Sequence, residues 1–296
     1  MDGIINVYKE RGFTSHDVVA KLRGILKQKK IGHTGTLDPE AQGVLPVCLG
    51  KGTKVCELLT DKTKTYQAVL LLGSVTDTQD TTGTVLAEHP VICTEEEVAA
   101  CIQTFQGTQE QIPPMYSALK VNGKKLYELA RQGVEVERKA RTITIEEIRI
   151  DKIQLPEVTI TVTCSKGTYI RTLCHDIGQK LGCGGCMKSL LRTRVGIFSI
   201  EESLTLAQIE ALRDEGSLES RIYPVDSVFG EYPQITLSEE ALRLVKNGNP
   251  LPKRMLELSA VTDGMRVRLY DSEGVFLAVY AWNQERKSYR AEKMFL

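Results

Sequence analysis

The chain has 296 residues, of which 38 are Lys or Arg and 38 are Asp or Glu, and 42% are apolar. A formal net charge of zero excludes a histone-like protein that holds nucleic acid by bulk charge, although a local basic surface can still attract RNA. No apolar run approaches the ~20 residues that span a bilayer, so we expect no membrane partner. The eight cysteines are scattered and no secretory signal is visible, so we expect a reduced, cytoplasmic protein.

Helix and strand signals alternate irregularly over the first two thirds of the chain. Apolar stripes behind a capping Ser or Thr indicate helices, and alternating or continuous apolar runs indicate strands. In chain order the predicted elements are a strand at 3–8, a helix capped by Thr14 or Ser15, strands at 45–49 and 67–72, a helix from Thr94 to near Gly107, a helix at 124–132, strands at 142–153 and 158–163, and a helix at 169–181. Because the strict βαβ rhythm is missing, we predict an α+β fold with a mixed, largely antiparallel sheet.

The composition changes after residue 200. Residues 201–219 are acidic, and Pro224, Gly230 and Pro233 follow. One short helix after Ser238 and strands at 265–270 and 275–282 are then predicted. These features indicate a domain boundary near residue 232 and a small β-rich module over residues 233–296.

Common cofactor and metal motifs fail on spacing. Gly50–Thr53 lacks the first glycine of a phosphate-binding loop, and it lacks the third glycine of a dinucleotide fingerprint. Asp77–Gly83 hints at a calcium loop but lacks the closing Glu, which favours an acidic turn between strands. Cys183 and Cys186 have no second cysteine pair to complete a zinc site, so a structural role is favoured. None of these motifs is therefore assigned to a metal or a cofactor.

The segment from Ile31 to Pro46 is the most unusual in the chain. It carries three glycines and two prolines between a basic helix and an apolar strand. Such a loop is costly to order unless its shape matters. It presents His33 and Asp38, and a carboxylate on a rigid loop is a candidate nucleophile or base. A simple Asp–Pro turn is the alternative.

Several segments together resemble the TruB family of bacterial tRNA pseudouridine synthases. They run in family order from residue 3 to about residue 230. The dyskerin-type enzymes of archaea and eukaryotes share the Gly-His-x-Gly-x-Leu-Asp loop but depend on a guide RNA. The segments are Gly32–Pro39 with Gly43–Pro46, Lys64–Tyr66, Thr76–Asp80 with Gly83, Ile112–Lys120, Leu126–Arg131, Gly167–Leu173 and Leu190–Arg194.

This resemblance implies a pseudouridine synthase fold and an isomerisation without a cofactor. The uracil–ribose C–N bond is cut, the base rotates, and a C–C bond replaces it, at uridine 55 in the T-arm loop of tRNA. Asp38 is then the essential carboxylate, and Arg171 is the cation that keeps it ionised. A nearby cation lowers the pKa of a carboxyl by roughly 1–3 units, which opposes the effect of burial.

The resemblance also assigns residues around the target base. Tyr66 is expected to stack on the ring, Tyr169 to line its other side with a hydroxyl near the moving protons, and Leu190 to supply apolar contact. The base must leave its stack, which costs a few kcal/mol, and one stacked aromatic ring returns roughly 1–3 kcal/mol. His33 is therefore expected to fill the vacated space. Without the family, Tyr66, Tyr169 and Leu190 would be assigned to the core.

A local basic surface fits an RNA partner. Residues 115–149 contain eight Lys or Arg and five Asp or Glu. We predict phosphate contacts from Lys120, Arg131, Arg192 and Arg194, with an ordinary solvated surface as the alternative. Residues from about 112 to 142 resemble the family's mobile insertion that closes on RNA. Because dyskerin-type enzymes that need a guide RNA should lack this insertion, we expect a stand-alone enzyme.

Some features depart from the family or stay open. Lys9 is followed by Glu10, where the family usually has Pro, so Lys9 should keep its structural contact while the loop loses stiffening. The C-terminal module resembles a PUA-type RNA-binding domain only weakly. A non-catalytic RNA-binding or tRNA-folding protein is the alternative function, whereas a hydrolase is disfavoured because no second acid or metal set is evident. We expect a monomer.

Overall fold

The computed structural model describes residues 1–121, 123–256, 258 and 261–296. Within these ranges the chain forms a large mixed sheet with helices, followed by a five-stranded sheet near the C-terminus. This confirms the predicted α+β fold with a small β-rich C-terminal module. No helix in the described ranges is long and apolar enough to cross a membrane.

Strands occur along the whole length of the chain. They are β1 (Gly3–Lys9), β2 (Ile31–His33), β3 (Gln42–Leu49), β4 (Lys64–Leu72), β5 (Ser74–Thr76), β6 (Val85–Glu88), β7 (Gly107–Gln111), β8 (Lys120–Val121), β9 (Lys124–Lys125), β10 (Arg141–Gln154), β11 (Glu157–Cys164), β12 (Gly185–Val195), β13 (Phe198–Ser199), β14 (Ile222–Tyr223), β15 (Gln234–Thr236), β16 (Leu251–Pro252), β17 (Arg266–Tyr270), β18 (Phe276–Asn283) and β19 (Ser288–Met294).

The α-helices are α1 (Ser15–Leu26), α2 (Cys56–Thr60), α3 (Glu95–Gln103), α4 (Leu126–Ala130), α5 (Ile170–Lys180), α6 (Leu206–Asp214) and α7 (Glu239–Lys246). Helices α1, α3, α6 and α7 start after a capping Ser or Thr, whereas α2, α4 and α5 have no side-chain cap hydrogen bond. Thr14 and Thr94 each accept a hydrogen bond from the third backbone N–H of their helices, which completes the capping boxes. The helix predicted at 124–132 is shorter than expected, because Lys124 and Lys125 pair in a hairpin with β8.

The main sheet has the order β14-β1-β3-β12-β4-β11-β10-β7, and β12 with β3 is its parallel pair. Its largest core packs α3 and α5 against one face of β4, β10 and β11, whose apolar residues alternate inward. A second core lies between α1, α6 and the strands β1 and β3. The sequence analysis missed β12, which lies in the middle of the sheet.

A close approach at Gly43 joins β3 to β12. Gly43 has φ +106°, and a Cβ there would lie 2.2 Å from the carbonyl oxygen of Arg192. Only a residue without a side chain allows the two backbones to pair at this point. The pairing fixes the strand that follows the Asp38 loop against the centre of the sheet.

The C-terminal module shares a core with the rest of the protein. Phe229, which precedes the module, packs against Phe276 at 5.9 Å between ring centroids, and Phe276 packs against Phe295 at 4.8 Å. Lys54 also donates to the carbonyl of Met294 at 2.9 Å. The module is therefore anchored by buried aromatic contacts rather than suspended from a linker.

Gly43→Ala is expected to destabilise the protein by at least about 1–3 kcal/mol, since backbone strain and the clash with β12 act together. Gly24→Ala is the matched control, because Gly24 is an exposed helical residue and a Cβ added to it would meet no neighbouring atom within 4 Å. That change should stabilise by up to about 1 kcal/mol. Urea unfolding of the two variants measures both effects, and equal stabilities would contradict the close-approach argument.

Candidate active site

The Asp38 loop is held by buried polar groups on both sides. The Ser15 hydroxyl accepts from the backbone N–H of Leu37 at 2.9 Å, which is possible because Thr14, not Ser15, caps α1. The ammonium of Lys9, fully buried, donates to the carbonyls of Phe13 at 2.6 Å and Pro39 at 3.1 Å. The structural contact expected of Lys9 is therefore present, directly beside Asp38.

Helix α5 brings Arg171 to the Asp38 carboxylate. Arg171 lies in the first turn of α5 and is only 6% exposed, and its Nε is 3.1 Å from Asp38 Oδ2. One terminal nitrogen donates to the carbonyl of Thr78 at 3.2 Å, and the other donates to the carbonyl of Tyr116 at 2.9 Å. These contacts fix the guanidinium plane and aim it at Asp38.

A second carboxylate, Asp80, shares the same guanidinium. Asp80 Oδ2 lies 3.5 Å from Arg171, and its Oδ1 accepts from the hydroxyls of Thr78 at 2.8 Å and Thr82 at 2.5 Å. The loop is joined to α5 by the Thr172 hydroxyl, which donates to the Gln79 side chain at 2.7 Å. The segment that suggested an acidic turn is thus part of the site.

Burial and the nearby cations have opposite effects on the pKa of Asp38. Burial raises the pKa of Asp38 above that of a free Asp, and the negative charge of Asp80 acts in the same direction. The cations of Arg171 and Lys9 oppose the rise in this pKa. Burial lowers the pKa of Lys9 to about 8, so its ammonium is largely retained at neutral pH.

Asp38, Asp80 and Leu190 line a cavity of about 150 Å³. A cavity of this volume is known to hold benzene, so it is large enough for one six-membered ring. Leu190 reaches it from β12, where it pairs with Ala68 of β4. A larger cleft of about 670 Å³ at Lys62, Glu147 and Arg194 contains none of these groups.

Tyr66 lies on β4 and Tyr169 at the start of α5, and neither is among the residues that line the 150 Å³ cavity. Tyr66 is 8% exposed on β4, and burial raises the pKa of its phenol. Tyr169 immediately precedes α5, and burial also raises the pKa of its phenol. The charge of Asp38 raises both phenol pKa values further. Both tyrosines are therefore neutral and able to donate a hydrogen bond at physiological pH.

His33 is positioned on β2, next to the start of the loop. Burial lowers its pKa, so the imidazole is neutral at pH 7. Its Nδ1 is buried without a hydrogen-bond partner among the described residues. His33 is not one of the residues that line the 150 Å³ cavity.

The structure corrects the assignment of Arg192 to a phosphate contact. Arg192 is 1% exposed and donates through Nε to the Val44 carbonyl at 2.7 Å, beneath the Asp38 loop. Arg192 and Arg194 are two residues apart, which in a regular strand would place them on one face. A register shift in β12 between the two residues breaks this alternation, so Arg194 is exposed while Arg192 is buried. Arg192 therefore supports the loop from below. Lys120 and Arg131 lie at the surface of the insertion, and Arg131 lies over the ring of Tyr127.

Sequence reasoning missed two polar residues of the site. The sequence pattern assigns Asp80 to a turn, although six hydroxyl or carboxyl residues in the seven from Thr76 to Thr82 are more than a turn needs. Gln111 ends β7 and is buried, and its amide bonds to the backbone of Tyr169. A single Gln at a strand end carries no signal in one sequence. Among the described residues no group of three or more acidic, His or Cys residues could hold a metal ion.

Two solved structures resemble this fold over nearly the whole chain. The chain is similar to one in a Cbf5-Nop10-Gar1 complex, with a TM-score of 0.77 and 28% identity over 99% of this chain and 85% of the other. A chain from an H/ACA RNP bound to a substrate RNA containing 2'-deoxyuridine gives a TM-score of 0.75 and 26% identity over 99% and 85%. The protein therefore shares its fold with chains of these complexes.

Matches to family models and to relatives then identify the family. Residues 23–170 match the TruB family pseudouridylate synthase N-terminal domain, and residues 171–230 match the tRNA pseudouridylate synthase B C-terminal domain. The chain is 53% identical, over the full length of both proteins, to tRNA pseudouridine synthase B of Lachnoclostridium phytofermentans. It is 44% identical to that of Bacillus pumilus over 95% of this chain and 93% of the relative. The chain belongs to the TruB family.

Asp38→Asn is expected to raise the unfolding temperature at pH 7. Because the pKa of Asp38 is raised, its contribution to stability is complete below the pKa of the unfolded chain and is lost as pH rises through the folded pKa. An uncharged Asn avoids this loss. The unfolding temperatures of the variant and the wild type should therefore converge below about pH 4.

Thermal unfolding at both pH values measures this difference. Asp61→Asn is the control, since Asp61 is an exposed partner of Lys166 and should change little. A lower unfolding temperature for Asp38→Asn at pH 7 would mean that the ion pair with Arg171 outweighs the cost of burial.

Proposed function

We propose that this enzyme converts uridine 55 in the T-arm loop of tRNA to pseudouridine, without a guide RNA or cofactor. The observation that carries the proposal is the Asp38 carboxylate held by Arg171 beside a cavity large enough for one base. The full-length likeness to proteins named tRNA pseudouridine synthase B supports the tRNA substrate. Identity of 53% to that group, against 28% to a chain of a Cbf5 complex, supports a stand-alone enzyme.

The proposed chemistry follows from the charges in the cavity. The flipped uridine enters with its ribose next to Asp38, which acts on the sugar as nucleophile or as base. The uracil–ribose C–N bond breaks, the base rotates, and C5 bonds to the ribose while its proton leaves. Arg171 keeps Asp38 ionised despite burial, Tyr66 stacks on the base, Tyr169 lines its other side and Leu190 supplies apolar contact. His33 is proposed to fill the space that the base leaves in the RNA.

We propose that different segments of the chain have different roles. Residues 1–232 form the catalytic unit, and residues from about 112 to 142 close on the RNA. That insertion has its own small apolar core around Met115, Leu126 and Leu129, which presents its cations on an ordered surface. Residues 233–296 are proposed to add a PUA-like RNA-binding surface. The proposed working state is a cytoplasmic monomer.

Tritium release from a T-arm hairpin labelled at C5 of uridine 55 tests the activity. The wild type should release tritium without any guide RNA, because the C5 proton is lost when the new bond forms. Asp38→Asn should reduce the rate by at least about 10³-fold while RNA affinity is retained. Asp61→Asn serves as the control with unchanged rate.

The same experiment separates the two candidate functions. A non-catalytic RNA-binding or tRNA-folding protein would bind and remodel RNA equally well with Asp38→Asn and would release no tritium in either form. Release that is equal for wild type and Asp38→Asn would remove the carboxylate from the mechanism.

Lys120→Gln, Arg131→Gln and Arg194→Gln should each weaken tRNA binding because each removes one proposed phosphate contact. Each should also reduce the slope of log affinity against log salt concentration by about 1. Arg149→Gln is the matched control, since Arg149 is already paired with Asp151 at 2.8 Å. Filter-binding titrations at several salt concentrations measure the slope, and an unchanged slope for all three variants would reject the proposed surface.

A further inference from the structure

We propose that Gln111 and Tyr116, at the N-terminal root of the insertion, are positioning residues that align Tyr169 and Arg171 for the reaction. This inference rests on the proposed function, because it assumes that Tyr169 and Arg171 act on the flipped nucleoside. It assigns the insertion a second task besides binding RNA. The polypeptide that closes on the substrate also holds the first turn of α5.

The first contact is made by the side chain of Gln111. This residue is the last of β7 and is 4% exposed. Its Oε1 accepts from the backbone N–H of Tyr169 at 2.8 Å, and its Nε2 donates to the carbonyl of the same residue at 3.1 Å. Both backbone groups of Tyr169 are therefore fixed by one amide.

This amide makes one of the two contacts of a capping box. Tyr169 occupies the N-cap position of α5 and its own side chain makes no capping hydrogen bond. In a capping box a Glu or Gln within the helix accepts from the backbone N–H of the N-cap residue. Here Gln111 accepts from that N–H, although it belongs to β7 rather than to the helix. The start of α5 is therefore fixed from outside the helix.

The second contact is made by Tyr116, five residues further along the insertion. Its carbonyl accepts from a terminal nitrogen of Arg171 at 2.9 Å. Its hydroxyl donates to Asp77 Oδ2 at 3.3 Å, and the other oxygen of Asp77 accepts from the backbone N–H of Thr84 at 2.7 Å. Tyr116 is thus tied to the guanidinium on one side and to the loop that carries Asp80 on the other.

The orientation of the Arg171 guanidinium depends on its hydrogen bond to the carbonyl of Tyr116. The guanidinium is planar, so the nitrogen bonded to Tyr116 and the Nε that faces Asp38 rotate together. The hydroxyl bond to Asp77 anchors Tyr116, and without it the backbone carbonyl that holds Arg171 is free to shift. The guanidinium plane would then turn, and Asp38 would lose part of the charge that keeps it ionised. Ser117, the next residue, is buried and places its hydroxyl near Tyr169, so a third group of the insertion reaches the same turn.

Single-turnover tritium release at saturating hairpin tests the proposal with Gln111→Met and Tyr116→Phe. We expect each variant to lose on the order of 10-fold in rate, with the RNA dissociation constant within about twofold of wild type. Tyr127→Phe is the matched control, because Tyr127 lies in the same insertion and its hydroxyl accepts from Lys125. Its rate should equal that of the wild type.

The pH dependence provides a readout that a merely structural role would not change. Asp38 must be ionised, and while burial raises its pKa, the charge of Arg171 opposes that rise. In Tyr116→Phe the acidic limb of the rate profile should therefore move to higher pH, whereas in Gln111→Met it should stay close to that of the wild type.

Failure of this inference and failure of the proposed function would give different results. Wild-type rates for Gln111→Met and Tyr116→Phe would overturn the inference and leave the proposed function intact, provided that Asp38→Asn is inactive. A parallel loss of rate and RNA affinity would also overturn it, because the residues would then serve the clamp alone. No tritium release by the wild type would instead reject the proposed function. Tyr116→Phe removes one hydroxyl and should fold, so one variant remains informative if Gln111→Met is unstable.

Discussion

The site depends on one guanidinium that two carboxylates share. Arg171 is almost completely buried, and a buried cation is tolerated only where partners satisfy it. Asp38, Asp80 and two backbone carbonyls provide these partners, and they come from three separate parts of the chain. The Asp38 loop, the Thr76–Thr82 loop, the insertion and α5 are therefore held in register by a single side chain.

The sequence predicted the parts of the site that are local. The Asp38 loop is identifiable from its glycines and prolines, whereas the structural contact of Lys9 follows from the family resemblance. The caps of α1 and α3 also follow from residues three apart. The family resemblance predicted the partnership of Asp38 with Arg171, which spacing alone could not reach because 133 positions separate them in the chain.

The features that the sequence analysis missed or misassigned were obscured for physical reasons. Strand β12 contains two register shifts, between Met187 and Ser189 and between Arg192 and Arg194, so its alternation is interrupted and its centre resembles a basic surface. The pattern therefore assigned Arg192 to phosphate, although the residue lies under the loop. Asp80 and Gln111 acquire meaning only from tertiary contacts, with Arg171 and with the backbone of Tyr169.

The aromatic cluster of Phe229, Phe276 and Phe295 joins the C-terminal module to the rest of the protein through a shared apolar core. Apolar surface on both sides of this contact would be exposed to water if the module unfolded alone. The stability of the module is therefore coupled to that of the catalytic part of the chain.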